Sequence, residues 1–401
     1  MTAETSTGNS YNAVSKILHW LIAAMVVLQF VLANLAEGAE DAGSKFQQLV
    51  LLANHKSVGL TILCLAIIRL SWRFFHRPPA PLPMPTWQLR ASGISHWSLY
   101  ALLILMPLSG WLMSSASAIS VSWFNLFQLP DLVAANEGLE DFFAEAHELF
   151  ATLLFVLALI HVGAALKHTF INHDGAIRRI SSTLTISLFI AVLVIGVLAL
   201  TRIGRASETP LHRTSPAVSV NPDSEASRLP QWQIDYAKSY IRFVAEQAGA
   251  EFESEWKDWQ AVMRFDAANL GASSFDVAIS ANSVETMDKE RNETLMDREW
   301  FDGVNFPQVF YRAKKFSSLP NGEFSANGEM QVKDVVAPVK LIFSVHQDGN
   351  QLILQGKATL DRIALGVGTG DWEDTTWVGQ FVEVEVRVEA TLGNWQGNKS
   401  F

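Results

Sequence analysis

The sequence predicts an all-α membrane domain, a four-helix bundle with one extra transmembrane helix, followed by an all-β antiparallel barrel. Three observations predict this division. The first half holds five apolar runs, each close to the ~20 residues that a helix needs to cross a bilayer. Residues 202–228 are rich in Ser, Pro and Thr and show no apolar period. From Trp232 to Leu392 the apolar residues recur with the period of two that is typical of strands.

The composition narrows the possible partners and chemistry. The 401 residues are enough for two or three domains, and the net charge of −10 argues against nucleic acid as a partner. Cys64 is the single cysteine, which excludes an intramolecular disulfide and a thiolate metal cluster. Met1–Tyr11 is polar, and the first apolar run has no clear cleavage site. We therefore expect the first membrane helix to act as an uncleaved insertion signal.

The apolar runs also predict an orientation. Arg and Lys concentrate before the first run, between the second and third, and between the fourth and fifth, whereas the opposite loops are acidic. The positive-inside rule therefore predicts a cytoplasmic N-terminus and, after five spans, a C-terminal domain on the outer side of the membrane. The runs are about Ile17–Asn34, Val58–Phe75, His96–Met113, Glu148–Phe170 and Leu184–Leu200.

The fourth run carries two histidines, His147 and His161. They are 161 − 147 = 14 residues apart, so both imidazoles project from one helix face about 21 Å apart at ~1.5 Å per residue. Ionisable residues within a membrane are costly and usually mark a functional site. The pair therefore predicts two stacked ligand sites, and each site needs a second ligand from another helix.

Two further histidines lie at matching depths. His19 opens the first helix at the cytoplasmic boundary and His55 opens the second at the outer boundary, so depth pairs His19 with His161 and His55 with His147. Two imidazoles that face each other across a bundle suit a b-type haem, which needs axial ligands but no covalent cysteine. A C-x-x-C-H motif is missing from the sequence, and zinc usually takes three or four ligands. The alternative is that these histidines only cap membrane helices at the interface.

Several motifs of this half occur together in one known family. They are Tyr11 to Trp20, His55 to Gly59 (HKSVG), Arg69–Arg73, Pro107 to Trp111 (PLSGW) and the H-E-x(12)-H-x(6)-H pattern from His147 to His168. In these motifs Tyr11–Ile180 resembles the bacterial cytochrome b561 family. The resemblance implies a four-helix bundle in the bacterial inner membrane that holds two haem b groups. It also implies the axial ligands His19, His55, His147 and His161.

The last histidine of that pattern, His168, lies seven residues after His161 and shares its face. The family uses this region for the head group of a quinone. A histidine suits that task because it can hydrogen-bond a quinone carbonyl and exchange a proton near neutral pH. The alternative is a histidine that faces lipid head groups. His96, Arg69, Arg73 and His76 share this surface and are predicted to be boundary anchors.

The sequence divides after these helices. We expect residues 1–180 to form the cytochrome-like domain, 181–201 a fifth transmembrane helix that serves as a tether, 202–228 a flexible linker and 229–401 a β-barrel. The turn sequences at Pro320–Gly322 and Asp348–Asn350 separate short strands. About eight such strands, with one helical interruption at Lys289–Trp300, predict an up-and-down barrel that can hold one small apolar ligand. Trp256 and Trp259 are candidates for its lumen.

The barrel segment also shows a family resemblance. Its matching residues are Asp288–Asn292 with Leu295, Trp300–Asp302, Phe306-Pro307, Val336–Phe343, Asp361-Arg362 and Leu365–Gly368. In these residues about Leu229–Leu392 resembles the YceI-like polyisoprenoid-binding family, which has a lipocalin-like barrel. The resemblance implies that long isoprenoid tails, including those of quinones, bind in the lumen.

Together the two resemblances imply a membrane electron carrier fused to a prenyl-lipid binder. The leading hypothesis is a quinone-linked oxidoreductase that uses ubiquinone or a similar isoprenoid quinone, with an outer barrel in the periplasm. Some relatives oxidise superoxide, but steering this anion needs positive potential and the outer loops are acidic. The redox donor is therefore left open. The alternative function is an isoprenoid carrier or sensor that the cytochrome only anchors.

Overall fold

The computed structural model describes residues 10–203, 229 and 231–392. The chain forms two compact units, Met1–Ala206 and Ser207–Phe401. The predicted linker lies almost wholly outside the described residues, since 204–228 are not among them.

The first unit is built on four long helices. Each is long and apolar enough to cross a membrane, which confirms the predicted bundle of four apolar helices. The helices extend beyond the apolar runs because polar residues continue them at their ends; α4 begins at Glu137, eleven residues before the run. The four are α1 (Ala13–Asp41), α2 (Lys45–Phe75), α3 (Thr86–Ala116) and α4 (Glu137–Phe170).

Local sequence sets the ends of these helices. Asn12 caps α1 by accepting a hydrogen bond from the main-chain N–H of Ser15, and Asn136 caps α4 through Leu139. Acidic residues occupy the first turn of α4, and Lys167 and His168 occupy its last, which matches the helix dipole at both ends.

The four helices pack through α1 on α2, α2 on α3 and α3 on α4. One buried cluster includes Leu32 of α1 with Leu51 and Ile62 of α2. Another joins Met106 of α3 to Leu154 of α4. The remaining surface of α4 exposes large apolar side chains, as a face in contact with lipid would.

Two further helices complete the unit, α5 (Ala176–Ile180) and α6 (Thr183–Ile203). The apolar α6 packs along α1, where the ring of Phe189 lies 5.3 Å from that of Trp20. A side chain on Gly196 would bring its Cβ within 2.9 Å of Leu28, so the two helices approach closely there. The segment predicted as a tether therefore also packs as a fifth helix of this unit.

A short hairpin follows α3, with strands β1 (Ser122–Trp123) and β2 (Phe127–Gln128). It is held to α2 by two side chains. The hydroxyl of Ser57 donates to the carbonyl of Ser122 over 3.2 Å and accepts from the N–H of Phe124 over 2.9 Å. The indole N–H of Trp123 donates to Thr61 over 3.0 Å.

The second unit is an antiparallel sheet with one short helix, α7 (Lys289–Leu295), inside the predicted helical interruption. Burial alternates along the strands, so that every second side chain points into the barrel. The strands are β3 (Trp232–Ile234), β4 (Tyr240–Gln247), β5 (Ala250–Trp256), β6 (Trp259–Arg264), β7 (Ser274–Ser280), β8 (Val284–Glu285), β9 (Gln308–Ser318), β10 (Phe324–Val332), β11 (Val335–Asp348), β12 (Gln351–Asp361) and β13 (Phe381–Leu392).

The sheet closes because β13 pairs with β12 on one side and with β3 and β4 on the other. Three positions of the barrel are each filled by two short strands in succession. The first position holds β3 and β4, the second β5 and β6, and the third β7 and β8. β3 pairs with β6 and β6 with β7, whereas β4 pairs with β5 and β5 with β8. The barrel therefore has eight strand positions in chain order, which confirms the predicted up-and-down barrel.

One buried arginine organises the long connection between β12 and β13. Arg362 is 3% exposed, and its guanidinium donates to the main-chain carbonyls of five residues. Burial lowers the pKa of Arg362, although Asp361 and Glu373 oppose that shift. The carbonyls belong to Val367, Gly368, Trp372, Val378 and Gly379, at 2.7–3.2 Å.

We expect Arg362→Met to destabilise the barrel by about 3 kcal/mol, because removal of the guanidinium leaves buried carbonyls without donors. Urea unfolding of the full-length protein in detergent, followed by tryptophan fluorescence, measures the change. Arg312→Met is the matched control: Arg312 is 46% exposed and its ion pair with Asp276 spans 4.0 Å, so we expect a change within about 0.5 kcal/mol. Equal effects of the two variants would contradict this role of Arg362.

Candidate functional site

Four histidines form two pairs in the first unit. The ring of His19 on α1 lies 6.3 Å from that of His161 on α4, centroid to centroid, at an interplanar angle of 66°. The ring of His55 on α2 lies 6.3 Å from that of His147 on α4, at 71°. The structure thus brings together the histidines that depth had paired, and α4 contributes one to each pair.

The equal spacing of the two pairs has a chemical meaning. A transition-metal ion bonds an imidazole nitrogen at about 2.0 Å, and the ring centroid lies about 1.1 Å behind that nitrogen. Two imidazoles on opposite sides of one ion therefore have centroids about 6 Å apart. Among the residues that the structure describes, no group of three or more His, Cys, Asp or Glu could hold a metal ion. The pairs fit a metal whose other ligands come from a cofactor.

The imidazole of His147 is oriented by α3. Its Nδ1 lies 3.0 Å from the main-chain carbonyl of Met106 and 3.2 Å from the hydroxyl of Ser109. A metal-bound histidine usually donates its other ring N–H to such an acceptor. This bond leaves Nε2 available. The ring lies against Gly110, where an added Cβ would be 3.0 Å from its Cε1.

His55 has a different environment. Its ring lies beside the backbone of the buried Gln29 on α1, and the side-chain amide oxygen of Gln29 is buried without a hydrogen-bond partner. The amide nitrogen of Gln29 lies beside Gly59, one turn after His55, where an added Cβ would be 3.0 Å away. A buried polar atom without a partner is costly, so it fits a site that a bound group completes.

Two further side chains, His96 and Arg69, lie beside the pair of His19 and His161. The ring of His96 lies 5.3 Å from that of His161, closer than the ring of His19. Arg69 donates from Nε to the hydroxyl of Tyr100 over 3.2 Å and from Nη1 to the carbonyl of Ser15 over 3.1 Å. His96 was predicted to be a boundary anchor, whereas the structure places it against His161. Depth along the sequence could not show this, because it does not fix the rotation of α3.

The remaining predicted anchors, His76 and Arg73, contact aromatic side chains. The ring of His76 is exposed and stacks on that of Trp72, 3.8 Å apart. The guanidinium of Arg73 lies 5.6 Å from the rings of both Trp97 and Tyr100. Such cation–π contacts are typical of side chains at a membrane boundary.

His168 ends α4 beside a carboxylate that the sequence analysis missed. Its Nδ1 contacts Oδ2 of Asp174, and the amide nitrogen of Asn172 lies 3.4 Å from the same ring atom. Burial tends to raise the pKa of Asp174, but the hydrogen bonds with His168 and with the N–H of Ala176, together with the charge of His168, outweigh it and the pKa is lowered. The acid lies six residues later, beyond the end of the helix, so helical spacing gave no signal.

The barrel encloses an apolar cavity. Its empty volume is about 750 Å³, counting the part that is open to solvent. Trp259 lines it as predicted, whereas Trp256 does not and packs on Phe243 with ring centroids 4.6 Å apart. The hydroxyl of the lining residue Tyr311 donates to the carbonyl of Ala326 over 3.3 Å. The lining also includes Ile241, Phe275, Met330, Leu354 and Val386.

Comparisons with known proteins cover both units. A model of prokaryotic cytochrome b561 matches residues 10–183, and a model of the YceI-like domain matches residues 232–390. Cytochrome b561 homolog 2 of Escherichia coli (strain K12) is 32% identical over 176 residues, which are 44% of this chain and 93% of that protein. Probable superoxide oxidase CybB of Yersinia pestis is 25% identical over 170 residues, 42% of this chain and 94% of that protein.

Solved structures resemble the barrel. BcnA of Burkholderia cenocepacia is 27% identical with a TM-score of 0.38, and the match covers 40% of this chain and 100% of BcnA. A polyisoprenoid binding domain from Saccharophagus degradans is 11% identical with a TM-score of 0.33, covering 41% of this chain and 99% of that domain. From the family matches and the similarity to the Escherichia coli relative, this chain belongs to the prokaryotic cytochrome b561 family through residues 10–183 and carries a YceI-like domain at residues 232–390.

Proposed function

We propose that this protein is a di-haem b-type cytochrome that passes electrons across a membrane to or from an isoprenoid quinone. Membership of the cytochrome b561 family implies haem b. One observation carries the proposal. α4 contributes one histidine to each of two pairs, and in each pair the two ring centroids are 6.3 Å apart. His19 with His161 would hold one haem, and His55 with His147 the other.

The residues around the pairs support this assignment. A bound haem b would supply a one-electron carrier, and each pair of imidazoles would hold one haem through its iron. Met106 accepts the Nδ1–H of His147 and thereby fixes the nitrogen that faces the site. Gly110 gives the imidazole of His147 room at its present position.

A quinone fits the remaining features of the chain. Ubiquinone or a similar prenylated quinone has a polar head, which His168 could hydrogen-bond, and a long apolar tail. The cavity of the barrel suits the tail because its lining side chains are apolar and the hydroxyl of Tyr311 is already hydrogen-bonded. We infer that the barrel binds, delivers or extracts the tail of this substrate.

The orientation in the membrane is part of the proposal. The basic loops place the N-terminus in the cytoplasm of a bacterial inner membrane, and α6 would carry the chain to a barrel in the periplasm. The proposed domains are 1–180, the crossing helix at 181–201, the linker at 202–228 and the barrel at 229–401.

The electron donor is open between two classes. The similarity to a probable superoxide oxidase suggests superoxide, with quinone as acceptor. The acidic loops on the outer side oppose the approach of an anion, which favours a neutral or cationic donor. Reduction of the purified protein by a superoxide-generating system, compared with reduction by a quinol, separates the two.

A second candidate function needs only the barrel and its ligand. The residues that line the apolar cavity all belong to the second unit, so an isoprenoid carrier or sensor could work without electron transfer. The reduced-minus-oxidised spectrum of the full-length protein decides between the two candidates. Two haems that a quinol reduces support the oxidoreductase, and a protein without b-type absorption supports the carrier.

We expect His55→Ala or His147→Ala to remove one haem and His19→Ala or His161→Ala to remove the other. Each variant loses one axial ligand, so the haem content falls from about two to about one per chain. A pyridine haemochrome assay of the purified protein measures it. His96→Ala is the control, since His96 lies against His161 but is not assigned as a ligand. A content of two in His19→Ala together with one in His96→Ala would contradict the pairing.

We expect Gly110→Ala to weaken binding of the outer haem about tenfold, because the new Cβ would lie 3.0 Å from Cε1 of His147 and displace the ring. Haem titration of the apoprotein measures the affinity. Gly93→Ala is the matched control, because Gly93 lies on the same helix and nothing lies within 4 Å of its added Cβ. Unchanged affinity in Gly110→Ala would show that His147 does not need its present position.

We expect Ala358→Trp to reduce co-purifying prenyl lipid to background, because Ala358 lines the cavity and the indole would fill it. Lipid extraction from the full-length protein followed by mass spectrometry measures the loss, and urea unfolding checks that the barrel remains folded. Val336→Trp is the control, because Val336 is exposed and lies outside the lining. Equal lipid content in both variants would place the tail elsewhere.

A further inference from the structure

The turn after α4 folds a carboxylate back onto His168. His173 adopts a φ of 52° and Gly175 a φ of 73°, which reverse the chain within three residues. The main-chain N–H of Asp174 then donates to the carbonyl of His168 over 3.3 Å, and its side chain contacts Nδ1 of the imidazole. Three residues of turn thus bring an acid to the end of the helix.

Both oxygens of this carboxylate are held. Oδ2 contacts the imidazole of His168, and Oδ1 accepts the N–H of Ala176 over 3.1 Å. The short helix α5 that follows is tied to the start of α1, because the N–H of Tyr11 donates to the carbonyl of Arg179 over 3.1 Å. The acid is therefore placed on His168 by a turn that is itself anchored to the bundle.

We propose that His168 and Asp174 form a proton-transfer dyad for the quinone head group, in which Asp174 is the positioning residue. This inference rests on the proposed function. With its Nδ1–H donated to Asp174, the imidazole presents Nε2 to the substrate, as a histidine held by a carboxylate does in hydrolases. The side chains are 20% and 24% exposed, so the ring is packed in place but still has access to water.

The reaction balances with these groups. Reduction of one quinone to quinol takes two protons and two electrons, and on the proposed function two bound haems would supply one electron each. His168 donates a proton from Nε2 to one quinone carbonyl oxygen and is reprotonated from water, and the second carbonyl oxygen, on the opposite side of the ring, takes its proton from water. The carboxylate of Asp174 stabilises the imidazolium between these transfers. Quinol oxidation runs the same steps in reverse.

The alternative is that Asp174 only fixes the turn. Its hydrogen bond with the N–H of Ala176 is a common way to close such a turn, and this role needs no imidazole. The two roles differ in what the loss of the carboxylate changes. A turn residue alters stability and the reactions of the haem with every acceptor, whereas a dyad residue alters only the reaction that takes up protons.

The test compares two electron acceptors. Full-length protein in lipid nanodiscs is reduced with dithionite, and haem oxidation is followed by stopped-flow absorbance with decylubiquinone or with ferricyanide, which takes an electron and no proton. We expect Asp174→Asn to slow the reaction with decylubiquinone at least about tenfold and to leave the ferricyanide reaction unchanged. Asp174→Glu, which keeps the carboxylate, should recover most of the rate.

A double-mutant cycle shows whether the two residues act as one unit. We expect His168→Gln to slow the quinone reaction as Asp174→Asn does, and the double variant to be no slower than His168→Gln alone. His173→Asn is the matched control, because His173 is an exposed histidine of the same turn and Asn tolerates its positive φ. It should keep the wild-type rate.

Other outcomes overturn the inference. A wild-type rate in Asp174→Asn, or effects of the two single variants that multiply in the double variant, would show that the carboxylate does not act through His168. If Asp174→Asn slowed the reaction with ferricyanide as much as the reaction with decylubiquinone, the role of Asp174 would be structural only. In these cases the wild-type protein still reacts with decylubiquinone and the proposed function stands. A wild-type protein whose haems decylubiquinone does not oxidise overturns the proposed function and the dyad together.

Discussion

The structure of the first unit depends on a constraint set by one helix. α4 carries two imidazoles 14 residues apart on nearly one face, and each must meet a partner from a different helix at a different depth. Rings held 6.3 Å apart need small neighbouring residues that leave room for the imidazoles. Gly110 supplies that room beside His147, and Gly59 supplies it beside Gln29 next to His55. Of the other long helices, α3 packs on α4, and α1 and α2 each bring one histidine to it.

The sequence predicts how far along its helix each residue lies, but not towards which neighbouring helix its side chain points. Distance from the ends of an apolar run fixes depth, so the partners of His147 and His161 could be predicted from position alone. Rotation of α3 places His96 against His161, and a turn with positive φ places Asp174 on His168. The first contact depends on packing between segments distant in sequence, and the second on backbone angles that a helical or strand period does not encode.

The barrel shows the same division between regular and irregular structure. Alternating side chains predicted the strand positions, because every strand has one buried face. The period of two does not reveal the break between β3 and β4, since Tyr236 and Ala237 lie within it. The role of Arg362 could not be predicted either, because its acceptors are carbonyls of a connection that forms only when the barrel closes.

The two ends of the bundle differ in chemistry, and so do the two units. The imidazole of His147 lies against two uncharged groups, the carbonyl of Met106 and the hydroxyl of Ser109, which do not supply protons near neutral pH. Beside the pair of His19 and His161, Arg69 carries a positive charge, and at the end of α4 the contact between His168 and Asp174 joins an imidazole to a carboxylate that can exchange protons. The cavity of the barrel offers a ligand only apolar contacts, because the hydroxyl of Tyr311 is bonded to Ala326. On the proposed function, such a cavity takes a prenyl tail but does not distinguish an oxidised head from a reduced one. On the proposed function, discrimination between quinone and quinol must therefore come from the histidines of the bundle, and the barrel sets which tails are accepted.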